Sequence, residues 1–438
     1  MLPASSSVAK VDRAKATRTV APQSVESDRF EALATHLIEA AGRHDFDDAR
    51  RDFGKDMASA LPAAQFAAIW AALENHVGTF RAIETLSVRP EQGMHSVYGV
   101  SRFERDRATI KVVCDDAHHV VGLFFLPAPV AWLPAADAKP SSFDEQAVSV
   151  GSAPELPGTL TMPKAQGPLP AVVLVHGSGP SDADETVGAV KVFKDLAWGL
   201  ASRGIAVLRY VKRSRQSPAG IVTQKEEVLD GARAAIGLLL STPGIDAKRI
   251  FVLGHSQGGA LAPRIAAQNP AVAGIVICAG PTKPLQDSLL AQFQYLAPNQ
   301  PAPGVDAARR FKQTVEDPKL RPDQVLTLPT GGPITGAYFL DARDYSPTRV
   351  AHSLRCPILV LHGDRDYQVG RDEFQTWVTA LSDRKGASFK SYPSLNHLFV
   401  SGVGPSTPAE YQVPGHVDPL VIDDIAIWIS TAAEPPPH

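Results

Sequence analysis

From residue 171 to the carboxy-terminus, short apolar runs alternate with longer segments of helical period, and no other feature restricts the fold as much. The runs at 171–175, 205–209, 250–253, 273–277, 358–361 and 389–392 are too short for helices. Most are rich in Val, Ile and Leu at consecutive positions, as strands covered on both faces require. Between them, residues 190–202, 225–240 and 371–381 have helical spacing, and a last helix starts at Asp418-Pro419, an N-cap aspartate followed by a first-turn proline. The pattern predicts an α/β fold, a doubly wound and mostly parallel sheet with helices on both faces. The alternation is interrupted at 281–347, where short helices at 285–296 and 306–315 are expected as an inserted cap.

The preceding part obeys a different rule. Phe30, Leu33, Leu37, Ile38 and Ala41 recur at helical spacing, and residues 64–73 repeat it after a start signal at 59–62. Between 85 and 127 the period is two, with strand-like runs at 96–103, 109–114 and 119–126 separated by Arg105-Asp106-Arg107 and Asp115-Asp116-Ala117. These features predict a small α+β domain at 28–127, helices packed on an antiparallel meander. Residues 128–143, with Pro, Ala and Ser and no periodicity, are expected to be a linker, 144–438 the α/β domain, and 1–27 a disordered start. That start lacks the apolar stretch of a secretory signal, so a cytoplasmic location is expected, with export after loss of a signal as the alternative.

The chemistry concentrates in Gly254-His255-Ser256-Gln257-Gly258-Gly259, a serine between an apolar strand and a small-residue helix start. In a nucleophile elbow the turn is so tight that residues two positions either side of the serine must be small, which Gly254 and Gly258 satisfy. A bare glycine-rich strand-to-helix turn with an idle serine is the competing explanation. A serine hydroxyl needs a base to take its proton and a carboxylate to orient that base, in the chain order Ser, acid, His. Asp364 and Asp366 both follow the strand at 358–361, and His397 and His416 both follow the last strand. His416 precedes a helix N-cap, where local hydrogen bonding is the commoner role, so His397 is favoured. His255 and His362 read as packing residues. An oxyanion also needs two N–H donors, expected from Gln257 and from Ser178 in the loop His176-Gly177-Ser178-Gly179.

At these residues the chain resembles the α/β-hydrolase superfamily. Its His-Gly-x-x-Asp-x-x-Val pattern is matched by His362, Gly363, Asp366 and Val369, which implies Asp366 as the orienting acid; the superfamily's base normally lies where His397 stands. The segments from His176 to Glu185, from Leu196 to Tyr210 and from Gly415 to Asp418 are similar to a bacterial esterase-type subfamily whose members often carry a small amino-terminal domain of unknown function. The resemblance implies carboxylic-ester hydrolysis by Ser256, His397 and Asp366 with no metal or organic cofactor. Gln257 stands where Leu or Met is common in that subfamily.

Composition removes several other classes. A net charge of -3, with 20% charged residues, gives no single-sign field to gather nucleic acid, and no apolar run is long enough for a transmembrane helix. Cys114, Cys278 and Cys356 are too dispersed for a metal site or a disulfide framework. The expected partner is a small-molecule ester, with Phe293, Tyr295, Tyr338 and Phe339 of the insert as residues that could line its site, or that could simply pack the insert. Self-association into a homo-oligomer stays open. So do thioester and peptide cleavage by the same three residues, and a non-catalytic binding role on a hydrolase scaffold.

Overall fold

The first helix, Pro22–Gly42, places Phe30, Ala34, Leu37, Ile38 and Ala41 on one buried stripe at spacings of three and four. With Phe66 and Trp70 of helix Ala63–Val77, that stripe covers an antiparallel meander of β1 (Phe80–Glu91), β2 (Met94–Phe103), β3 (Arg107–Cys114) and β4 (Val120–Pro127). This computed structural model describes residues 22–91, 94–128, 132–217, 220–298 and 302–432. The chain divides into two compact units, Met1–Val130 and Ala131–His438. In the first, the meander has four strands where period-two patterning marked three. β1 was hidden because it carries charged residues along an edge and begins at Phe80, before the alternation is regular. Of the disordered start expected at 1–27, residues 1–21 lie outside the described residues, and helix begins at Pro22.

The second unit is built on one eight-stranded sheet. Its strands are β5 (Phe143–Val150), β6 (Leu156–Pro163), β7 (Leu169–Val175), β10 (Ala206–Tyr210), β11 (Ile245–His255), β12 (Val272–Cys278), β15 (Ile358–Gly363) and β16 (Ala387–Tyr392). The intervening numbers belong to two small ribbons, β8 (Thr186–Val187) with β9 (Val190–Lys191) and β13 (Val325–Thr327) with β14 (Pro333–Thr335). Across the sheet the order is β16, β15, β12, β11, β7, β10, β6, β5. The first six run parallel; β6 and β5 form an antiparallel margin that the alternation did not reveal.

β7 shows why these runs are apolar throughout. Ala171, Val173 and Val175 enter one core with helices Asp230–Leu240 and Gln257–Gln268, while Val172 and Leu174 enter the other with Val192–Ala201 and Pro419–Ala432. From β7 the chain builds outward to β10, then returns to the opposite side with β11. Such a reversal leaves a crevice at the carboxyl ends of the two central strands. Val175 pairs with Gly254, so the loop after β7 and the turn after β11 emerge side by side.

The stretch expected as a linker is anchored from Trp132 onward. Trp132 Nε1 donates to Asp195 Oδ1 at 2.9 Å, and its ring meets Trp198 edge-on at 4.9 Å. The interruption between β12 and β15 contains the two expected helices, at Leu285–Leu296 and Pro303–Glu316. It adds the β13–β14 ribbon and helices Gly336–Ala342 and Pro347–Ser353. Among the described residues no helix is long and apolar enough to cross a membrane.

Candidate functional site

Ser256 sits between the end of β11 and helix Gln257–Gln268 with φ 52° and ψ -118°, in backbone space that residues other than glycine rarely occupy. Strain of this kind costs about 1–3 kcal/mol and persists where its surroundings impose it. Two glycines let them do so. A Cβ on Gly254 would stand 2.1 Å from the carbonyl oxygen of Gly258, and one on Gly258 would stand 2.1 Å from that of Val175. The Ser256 N–H donates to the Cys278 carbonyl at 2.9 Å, and the Ser256 carbonyl accepts from Ala260 N–H at 3.0 Å, fixing the turn at both ends.

Asp366 follows β15 and is buried. One carboxylate oxygen, Oδ1, accepts the N–H groups of Gln368 at 2.8 Å and Val369 at 3.0 Å; the other lies 2.6 Å from Nδ1 of buried His397. Asp364 instead faces Arg371 at 2.9 Å, and His416 pairs with Asp195 at 3.0 Å. With Nδ1 bound to Asp366, Nε2 is the nitrogen of His397 left to exchange a proton. Among the hydrogen bonds of the described residues there is none between Ser256 and His397. His255, the residue before Ser256, meets His397: its Nε2 lies 3.0 Å from the His397 carbonyl oxygen and its ring lies 4.8 Å from that of His397. Bonds between nucleophile and base are often long until substrate arrives.

His255 is therefore not the packing residue that its position in an apolar strand suggested. Its Nδ1 lies 3.0 Å from Oε2 of Glu185, a fully buried ion pair, and Oε1 of Glu185 accepts the Gly177 N–H at 2.6 Å. Burial alone would drive the His255 ring toward neutrality, but the Glu185 charge and the His397 carbonyl hold its pKa above the ordinary value. Burial likewise opposes the charge on Glu185, which His255 outweighs, so that its carboxyl titrates below the usual range. A polar residue buried at a strand end needs a partner, and that was the available signal. Its partner is 70 positions upstream in sequence, in a loop without periodicity. His176 differs: burial pushes its pKa down to about 4, so the neutral ring donates from Nε2 to the Asp182 carbonyl at 2.9 Å. His362 does pack as expected, stacked on Phe374.

Ser178, Ser256 and Gln257 open together onto a cavity of about 460 Å³, closed on its far side by the 281–347 insert. Gln257 is the first residue of its helix, where N–H groups have no intrahelical acceptor. The insert is tied to that same helix: Arg264 and Asp341 form a bidentate pair with both contacts at 3.0 Å, and Tyr345 donates to the Ala260 carbonyl at 2.6 Å. Of the four aromatics expected to line a substrate site, Tyr338 and Phe339 face the cavity. Phe293 and Tyr295 do not line it. Helix Leu285–Leu296 turns Ser288 and Gln292 toward the cavity, while Phe293 packs near Gly304. Tyr295 stacks on Tyr367 and donates to the Ser406 carbonyl at 3.1 Å. Among the described residues no cluster of His, Cys, Asp and Glu could hold a metal ion.

Residues 166–401, more than half of the chain, match the family described as "Serine aminopeptidase, S33", and residues 34–123 match "Protein of unknown function (DUF3887)". Esterase EstD of Thermotoga maritima is 36% identical over 405 residues, which cover 91% of this chain and 95% of that relative. Among solved structures, Est1E from Butyrivibrio proteoclasticus is 17% identical with a TM-score of 0.45, covering 65% of this chain and 98% of its own. A Pyrobaculum calidifontis esterase is 18% identical with a TM-score of 0.45, covering 66% and 87%. On the extent of the family match and on the relative aligned along nearly all of both sequences, the chain belongs to the serine aminopeptidase family of α/β-hydrolases, preceded by a domain of the family of unknown function.

Proposed function

We propose that the protein is a serine hydrolase that cleaves small carboxylic esters, with Ser256 as nucleophile, His397 as base, Asp366 as its orienting acid, and the N–H groups of Ser178 and Gln257 as oxyanion donors. The observation that carries this reading is a strained serine opening onto a cavity beside a loop backbone, with a buried aspartate–histidine pair on the neighbouring strand ends. The Ser256 oxygen attacks the ester carbonyl while His397 Nε2 takes its proton, and the carbonyl oxygen becomes an oxyanion held by the two N–H donors. As the carbonyl re-forms, the bond to the alkoxy group breaks and His397 returns the proton to it, leaving an acyl-serine. Water then adds to the acyl group, giving its proton to His397, and Ser256 leaves with that proton to release the acid. Tyr338 and Phe339 are the insert residues against which the ester would lie. The similarity to a named esterase supports ester over peptide cleavage.

The test is Ser256→Ala assayed on short p-nitrophenyl esters and with a fluorophosphonate probe. Loss of both turnover and labelling is expected. Turnover retained by that variant would remove Ser256 from the role. A parallel panel of acyl-CoA thioesters and peptide anilides should be cleaved far more slowly than the esters by the unmodified protein, and a preference for anilides would make it a peptidase.

A further inference from the structure

Beside the site lies a closed ring of polar side chains, three of them buried and Gln257 half-buried, whose hydrogen bonds the steps above do not use. Lys212 follows β10 and is almost fully buried, and each of its three ammonium hydrogens has an acceptor. These are the Gly177 carbonyl at 2.8 Å, Gln257 Oε1 at 2.9 Å and Glu227 Oε1 at 2.9 Å. Gln257 Nε2 donates to the Tyr338 hydroxyl at 2.5 Å, and that hydroxyl donates to Glu227 Oε2 at 2.5 Å, closing the ring. Glu227 lies in a π-helical turn, Lys225–Leu229, a geometry found disproportionately at functional sites. Burial works against its charge, but Lys212 and the bond from Tyr338 keep its carboxyl below the ordinary value.

Gly177 is held from both sides. Its N–H is bound by Glu185 and its carbonyl by Lys212. The Gly177–Ser178 peptide is trans, so the Ser178 N–H points opposite to the Gly177 carbonyl. Fixing that carbonyl on Lys212 therefore fixes the direction of the Ser178 N–H. The same ammonium holds the side chain of Gln257, whose backbone supplies the second donor, and through Tyr338 the ring reaches helix Gly336–Ala342 of the insert.

We propose that Lys212 is a positioning residue of the oxyanion site, and that the ring Lys212–Gln257–Tyr338–Glu227 couples the insert over the cavity to the aim of the Ser178 and Gln257 N–H groups. This inference rests on the serine-hydrolase reading. It assigns to Tyr338 a part in kcat, beyond contact with substrate.

The experiment uses the full chain with Lys212→Met/Glu227→Gln, which removes the ion pair without leaving one charge buried alone, and Tyr338→Phe, which removes no charge. Misaiming a donor should lower kcat on a p-nitrophenyl ester by about tenfold to a hundredfold in the double variant and by less in Tyr338→Phe. KM should change little in both. A trifluoromethyl ketone, which forms an oxyanion on the serine, should lose affinity by a factor similar to that in kcat. A merely structural role would lower the thermal midpoint and leave kcat of the folded fraction and inhibitor affinity unchanged, and that result in the double variant overturns the proposal. If the double variant does not fold, Tyr338→Phe decides: loss in kcat with matching loss of inhibitor affinity supports the ring, and unchanged values or a change in KM alone overturn it. Ser256→Ala, inactive beside a normal Lys212 variant, would sink the ring and spare the underlying reading; an active Ser256→Ala would sink the reading itself.

Discussion

Asp366 Oδ2 and His397 Nδ1 stand 2.6 Å apart with both side chains buried, and the other oxygen of Asp366 is held by two backbone N–H groups. The carboxylate can therefore neither rotate nor exchange partners without losing bonds. Replacing it by an amide keeps the shape but takes away the charge that stabilises a protonated His397, and it favours the wrong tautomer. Asp366→Asn should lower kcat/KM by on the order of 10³–10⁴-fold. Asp364→Asn breaks only a bond to the exposed Arg371 side chain and should stay within a few-fold of the unmodified protein. Steady-state kinetics on one ester checks both, and the reverse ordering would move the acid role to Asp364.

The Glu185–His255 pair gives stability a pH dependence whose sign follows from the two shifts. His255 has its pKa raised on folding, so its contribution is complete below about 6.5, the unfolded value, and is lost as pH rises through the folded one. Glu185 has its pKa lowered, so its contribution is present above about 4.3 and is lost as pH falls through the folded value. Thermal midpoints should thus decline as pH rises above about 6.5. Glu185→Gln should cost about 3–5 kcal/mol at neutral pH, as expected when one member of a buried pair is removed, and should flatten this decline. Scanning calorimetry from pH 5 to 9 measures it; an equal slope in both proteins would mean that another group titrates.

What could be read from the sequence follows a physical division. Strands buried on both faces, such as β7 and β12, are written as continuous apolar runs, and the elbow's Gly254 is forced by a local contact with Gly258, whereas Gly258 is forced by Val175 of β7. The antiparallel strands β5 and β6 lack that signature, because β5, at the edge, is exposed along most of its length and β6 contains prolines and a glycine. Lys212, Glu227 and Glu185 were illegible as a set. Charged residues far apart in sequence look like solvated surface until the fold buries them against one another. The aromatics of the insert divided for a similar reason: which face of helix Leu285–Leu296 turns to the cavity depends on its packing against Pro303–Glu316.

Gly258 tests the elbow apart from the chemistry. A Cβ there meets the Val175 backbone at 2.1 Å, and Val175 is held in place by the β7–β11 pairing. Gly258→Ala should give a protein that is destabilised by more than about 3 kcal/mol or that fails to label with a fluorophosphonate. Gly179→Ala has open space around its Cβ and meets only the strain of φ 84°, a cost of about 1–2 kcal/mol, so it should fold. Denaturant titration of the two variants separates the effects, and a stable, fully labelled Gly258→Ala would mean that the turn is looser than described.

Phe339 and Tyr295 offer the sharpest contrast in the insert. Phe339 is buried, lines the cavity and meets Phe311 edge-on at 5.4 Å, so truncation both enlarges the cavity and removes core packing. Phe339→Ala should cost about 3–5 kcal/mol of stability and shift the preferred p-nitrophenyl ester toward longer acyl chains. Tyr295 lies on the outer side of its helix, about two-fifths exposed at 41%, and its stacking partner Tyr367 stands outside the cavity lining. Tyr295→Ala should leave the chain-length profile unchanged. The check is kcat/KM across acetate, butyrate, hexanoate and octanoate esters for both variants. A profile that shifts in Tyr295→Ala and not in Phe339→Ala would show that substrate enters along the outer face of helix Leu285–Leu296, and the acyl site would have to be placed there.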